Sequence, residues 1–493
     1  MKQIKLFLLF SLLLSMSACY KYQSETADLI VHNAKIYTMD NAFSTAEAMA
    51  VVDGKIIAIG PEHEIRNKYY SKNTIDAAKR PVYPGFIDPH SHFMSYAKML
   101  GEVQLAGTKS WQEVLDEVQR FSEGKQTEWI LGRGWDQNLW EEKKFPTNEK
   151  LNQLFPQTPV ILWRIDGHAA IANSKALELA GISNSTKVEG GKIILENEKP
   201  TGLLIDNAMS KIHQLIPQLT EEVWKKRLKQ AEENCFSVGL TSVSEAGMDA
   251  EHVKIIQNLQ DSGNLKMRIY GMLMPSKANQ EQFLENGPLR TDRLSISAFK
   301  YFADGALGSR GAKLKEDYSD DPGNSGIFTS DSSYLAEEAK KLYAGGFQMA
   351  THCIGDRACE MVLNIYADVL KGTNDKRWRI EHAQVVSPED VHLFGDYNII
   401  PSVQPTHATS DMKWALQRLG EERIKYAYSL KDLLKENGLI ALGTDFPVEE
   451  INPVNTFFAA VFRKNKNGEP EDGFLMDNSL SREEALRGMT IWA

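Results

Sequence analysis

From Val82 onward the chain repeats one pattern: a short apolar run ends in polar or glycine residues, and a helical pattern follows. The runs are GFIDPHSH (85–92), ILWRIDGH (161–168), GLTSVSEAG (239–247), ISAFKYFADGA (296–306), FQMATHC (347–353), WRIEHAQ (378–384), IIPSVQP (399–405) and LIALGTDFP (439–447). Strands that are apolar throughout and alternate with helices are those of a parallel sheet covered on both faces. This many units favours closure, so the expected fold class is α/β, a (β/α)8 TIM-like barrel. No glycine-rich dinucleotide fingerprint follows any run, which weakens the open doubly wound alternative.

Ahead of the barrel, DLIVHNAKIYTMD and AMAVVDGKIIAIG alternate apolar and polar residues at strand period, with Asp53-Gly54 as a hairpin turn signal. Residues 28–83 therefore read as a small β unit and 84–493 as the barrel. The stretch 98–235 exceeds what a barrel connection needs and reads partly as an insertion over the mouth. Near the end, Ser481 and Glu484 have capping-box spacing, so a helix is expected to start there.

The first 19 residues carry a targeting signature. Lys2 and Lys5 precede the apolar LFLLFSLLL, and small residues lead to Cys19. This resembles a bacterial lipoprotein signal with lipid on Cys19, followed by a linker over 20–27, and it predicts an exported, membrane-anchored protein. Cys235, Cys353 and Cys359 remain, an odd number that suggests free buried thiols rather than a disulfide framework. Acidic and basic residues are interspersed at a net charge of −10, which argues against nucleic acid as a partner.

The chemistry lies at the ends of the runs, where barrel enzymes place their catalysts. His90 and His92 are two apart, so strand geometry projects both to one side. Lys300, His352, His382 and Asp445 end or lie within later runs. Imidazole nitrogens with a carboxylate suit zinc or a similar divalent ion, one or two of them. Each residue also has a bland role: His352 and His382 as satisfied core histidines, Asp445 as a helix cap, Lys300 as the partner of Asp304. Lys300 is flanked by Phe299, Tyr301 and Phe302, where an ammonium is costly. The sharper reading is a neutral amine carboxylated by carbon dioxide, whose carbamate would bridge two ions. His32, His63, His213, His252 and His392 read as structural.

The series PGFIDPHSH, GWD (134–136), FPT (145–147), DGH (166–168), NSKAL, PTGLLID, FADGALGSRGA, THCIGDRA, IEHAQ and GTDFPV resembles the amidohydrolase superfamily. The branch it resembles is family 3, which includes N-substituted formamide deformylases. The resemblance implies a composite β-sandwich domain built from both chain ends, whose last strands in relatives lie beyond the equivalent of Ala493. It assigns His90, His92, Lys300, His352, His382 and Asp445 to metal-ligand positions, and His168 and His407 to positions facing the substrate. Ser244 departs from the pattern, since many relatives have histidine there.

The expected activity is hydrolysis of a non-peptide carbon–nitrogen bond, an N-formyl or N-acyl amide, by metal-activated water, with Asp445 as the catalytic proton carrier. The aromatic stretch GWDQNLW, Trp135 in particular, is the expected selectivity element. The alternatives are an ester, lactone or cyclic imide hydrolase on the same centre, or a non-catalytic lipid-anchored binding protein. The expected partners are a small-molecule amide, the membrane through the N-terminal lipid only, and a second copy in a homodimer.

Overall fold

The computed structural model describes residues 24–124, 127–165, 167, 169–188 and 191–493. Eight strands follow one another around a barrel: β1 (Phe86–Ser91), β2 (Leu240–Met248), β3 (Arg268–Leu273), β4 (Leu294–Phe302), β5 (Gln348–Cys353), β6 (Arg379–His382), β7 (Ile400–Val403) and β8 (Ala441–Leu442). From β2 to β8 each pairs in parallel with the next. The expected barrel is therefore observed.

Closure between β1 and β8 is made by the segment just after β8. Asp445 N donates to His90 O at 2.8 Å and His92 N to Phe446 O at 2.7 Å. Between these lies a side-chain clasp: Asp88 accepts from Thr444 Oγ1 at 2.6 Å and from His90 N at 3.1 Å. The approach is close enough to demand glycine at 443, where a Cβ would sit 2.8 Å from Asp88 Oδ1 and 3.0 Å from His90 N.

Two strand assignments need correction. ILWRIDGH is no barrel strand: Val160–Arg164 belongs to a six-stranded sheet inserted between β1 and β2. Within it, Val160 and Leu162 enter one core and Ile161 the other, so this strand is buried on both faces like a barrel strand. Sequence pattern alone does not separate the two cases. The true third strand, RIYGML, contains Gly271, a residue that ordinarily weakens a strand. Its reason is packing, since a Cβ there would lie 2.4 Å from Met248 Sδ and 2.5 Å from Ile296 Cδ1.

A second compact unit comprises residues 24–86 and 481–493 of the described chain. The boundary drawn at 84–493 is thus corrected at its end. The helix Arg482–Gly488 starts with the expected capping box and belongs to this unit, where Arg487 donates to Asp40 O at 2.7 Å. A four-stranded, a three-stranded and a two-stranded sheet build the unit, around Ile30, Ala48, Ala50, Ile65 and Tyr69. Asp53 and Gly54 adopt φ of 50° and 71°, as the hairpin signal requires. The residues of the targeting signature lie outside the described residues. Among the described residues no helix is long and apolar enough to cross a membrane.

Thr444→Val removes the donor to Asp88 and the acceptor for Phe446 N while keeping the side-chain shape. It is expected to cost about 1–3 kcal/mol, read as a lower midpoint of urea unfolding.

Candidate metal centre

The ligand residues arrive at one place because their strands end there. His90 and His92 flank the end of β1, and the backbone beyond His92 is held by buried Glu245 of β2, which accepts from Met94 N at 2.8 Å. Ser91 Oγ donates to Ser244 O at 2.8 Å, so the position that departs from the family pattern serves the strand pairing with its backbone. At β6 the regular alternation of a strand is broken. Glu381 reaches His90 Nδ1 at 2.5 Å, and the ring of the next residue, His382, lies 4.7 Å from the His90 ring. Neighbours in sequence face one group because His382 has φ of 74°, in the left-handed region. Asp445, with φ of 62°, is turned in the same way.

The Asp445 carboxylate stands between two sets of nitrogens. Its Oδ1 lies 3.1 Å from His92 Nε2 and 3.5 Å from His90 Nε2. Its Oδ2 lies 3.9 Å from His407 Nε2. Two donor groups result: His90, His92 and Asp445, and His382, His407 and Asp445. Asp445 is therefore not the cap of the following helix, Pro453–Phe462, a role filled by Asn452. His382 Nδ1 is 2.8 Å from Gln404 Oε1.

Lys300 is buried, with Nζ 3.4 Å from His90 Nε2 and 5.0 Å from the Phe302 ring centre. Among the described residues it forms no ion pair. Asp304, its bland partner by sequence, instead accepts from the amides of Lys313, Ile354 and Gly355. The His352 ring lies 4.6 Å from that of His382, yet its Nε2 faces Gly305 O at 3.4 Å and it joins neither donor group. His407, expected to face the substrate, is within ligand reach. His168 lies outside the described residues. Trp135 requires a correction: its indole is fully buried in the insertion core, and its N–H donates to Leu162 O at 2.7 Å. It has no face to offer a substrate. The five histidines read as structural all lie elsewhere, paired with Glu62, Glu64 or Asp396 or packed on Trp163 or Trp224. The three cysteines are free and buried, as expected.

The electrostatics suit a cation. Burial, then the nearby lysine, pulls His90 down to about 4 and His352 to about 3, and burial holds His382 well below its ordinary value. Burial also lowers Lys300. Burial opposes the charge on Asp445, but the surrounding imidazoles outweigh it and keep the carboxylate ionised. His92 moves the other way: burial lowers it, but its contact with the Asp445 carboxylate outweighs burial and raises it. A neutral imidazole beside an ionised carboxylate, as at His90 and His382, is the protonation state that binds metal. His407 Nε2 is moreover buried without a hydrogen-bond partner, and Asp445 Oδ1 has imidazole nitrogens 3.1 and 3.5 Å away as its neighbours. An unsatisfied buried nitrogen is costly, and an ion beside it removes the cost, so these residues fit a divalent metal. Glu381 and Gln404, which touch the rings of His90 and His382, escaped the sequence reading. The legible sign for Glu381 was a carboxylate in an otherwise apolar strand, directly before a ligand histidine.

The amidohydrolase family profile matches residues 73–493. The chain is 32% identical over 470 residues to the putative amidohydrolase YtcJ of Bacillus subtilis (strain 168), covering 93% of this chain and 88% of that one. It is 26% identical over 490 residues to the N-substituted formamide deformylase of Arthrobacter pascens, covering 95% and 89%. The solved structure of an uncharacterized metal-dependent hydrolase from Pyrococcus horikoshii OT3 is similar at a TM-score of 0.76 and 28% identity, covering 94% of this chain and 92% of that one. A barrel with histidine and aspartate donors at its strand ends, matched along this much of its length, belongs to the amidohydrolase family, and the protein is a hydrolase with residues placed to hold a divalent metal.

Proposed function

We propose that this hydrolase cleaves a non-peptide carbon–nitrogen bond of a small N-formyl or N-acyl amide. The observation that carries the reading is the Asp445 carboxylate, ionised and set between two imidazole groups, each able to complete a ligand set. These residues would hold a divalent ion, zinc by the chemistry of their nitrogen and oxygen donors, and such an ion would supply a water molecule with a pKa near neutrality and a polarised carbonyl.

The chain's own residues supply the rest. Asp445 accepts a proton from the attacking water and delivers it to the leaving nitrogen, which departs only when protonated. His168 and His407 are the candidates for holding the carbonyl oxygen as negative charge builds on it. Likeness to a deformylase of N-substituted formamides supports a carbon–nitrogen target. Lys300, desolvated and in no ion pair among the described residues, is suited to carboxylation: its neutral amine would add to carbon dioxide and lose a proton, giving a carbamate that could serve as a further oxygen donor. Export and lipid anchoring at Cys19 are proposed from the N-terminal signature.

Asp445→Asn and His382→Ala should lower kcat/KM roughly 100- to 10,000-fold with the fold intact by circular dichroism. The assay is metal analysis coupled to a screen of N-formyl, N-acyl and cyclic amides. Full activity in either variant, or turnover of esters and lactones alone, overturns the reading. Lys300→Ala should lose activity and recover part of it with short carboxylic acids, as expected if a carbamate is being replaced. Cys19→Ala should move the protein from the membrane fraction to the soluble one.

A further inference from the structure

We propose that Glu381, clamped by Arg379, is the positioning residue that sets the orientation and tautomer of His90. This rests on the metal-centre reading above. Neither residue is a ligand, and no motif reading assigned them a role.

The geometry is a relay across the barrel interior. Glu381 is fully buried, and it divides its two oxygens between two neighbours. Oε1 receives Arg379 Nε at 2.7 Å and a second guanidinium nitrogen at 2.6 Å. Oε2 meets His90 Nδ1 at 2.5 Å. Arg379 also donates to Pro89 O at 2.9 Å, so it grips the strand of His90 directly as well as through Glu381. An imidazole whose Nδ1–H points at a carboxylate presents Nε2 as a lone pair, and here Nε2 lies 3.5 Å from Asp445 Oδ1.

Barrel interiors are ordinarily filled with branched aliphatic side chains. At this level the barrel carries Ala246, Ala298 and Ala350, with Met272 Sδ 3.5 Å from the guanidinium. An apolar pair would fill the volume of Arg379 and Glu381 without the cost of burying two charges. What an apolar pair lacks is a directed acceptor for His90, and Oε2 supplies it.

The test uses the full chain and two variants, Glu381→Gln and the double change Arg379→Met with Glu381→Leu. Zinc dissociation constants are measured by competition with a chromophoric chelator, alongside the melting temperature of metal-free protein. Both variants should bind zinc roughly 10- to 100-fold more weakly than the wild type. The double variant leaves no lone buried charge, so its metal-free melting temperature should stay near the wild-type value, and it decides the matter should Glu381→Gln not fold. A purely structural role would shift the metal-free melting temperature and leave zinc affinity unchanged; that result overturns the proposal. A wild-type chain that binds no metal overturns the centre itself, a distinct failure.

Discussion

The seam between the first and last barrel strands governs both fold and site. The amide of Asp445 bonds the carbonyl of His90, and the amide of His92 bonds the carbonyl of Phe446. The hydrogen bonds that close the barrel therefore also set the spacing between a carboxylate and the two histidines it faces. Asp88, Thr444 and Gly443 exist to permit this approach: the first two form the clasp, and the third leaves room for it. Loss of closure would separate the ligand groups before any ligand was altered.

Around that seam the barrel solves a solvation problem. Imidazoles, a lysine and a carboxylate are withdrawn from water at one place, and each must be neutral or compensated. Burial pushes His90, His382 and Lys300 toward their neutral forms, whereas Asp445 stays charged. Residues just behind the centre carry the compensation: Glu381 with Arg379 behind His90, Gln404 behind His382, and Asp304 on the amides after β5. Glu381 and Gln404 thus orient ligands rather than acting as ligands.

Much of this was legible before the structure. The strand-end positions of His90, His92, His382 and Asp445 followed from runs that end in polar residues, and the structure brings all four together. The hairpin at Asp53-Gly54 and the capping box at Ser481 were equally local and equally clear, because turn and cap chemistry depends on a few adjacent residues. Val160–Arg164 misled because burial on both faces writes the same apolar run in an inserted sheet as in a barrel. Trp135 misled because a core tryptophan and a pocket tryptophan have the same neighbours in sequence.

The sequence by itself determined the family, the barrel and the chemical types of the ligands, since these depend on residue identity and on periods of two and 3.6 along the chain. Only the tertiary structure decided which strands neighbour which, and that Gly271 and Gly443 stand at close approaches. It also showed that His407 reaches the centre and that Glu381 directs one oxygen to Arg379 and the other to His90. These are contacts between residues tens to hundreds of positions apart, made by closure of the sheet on itself. No local pattern encodes them, because the distance that matters is measured across the barrel.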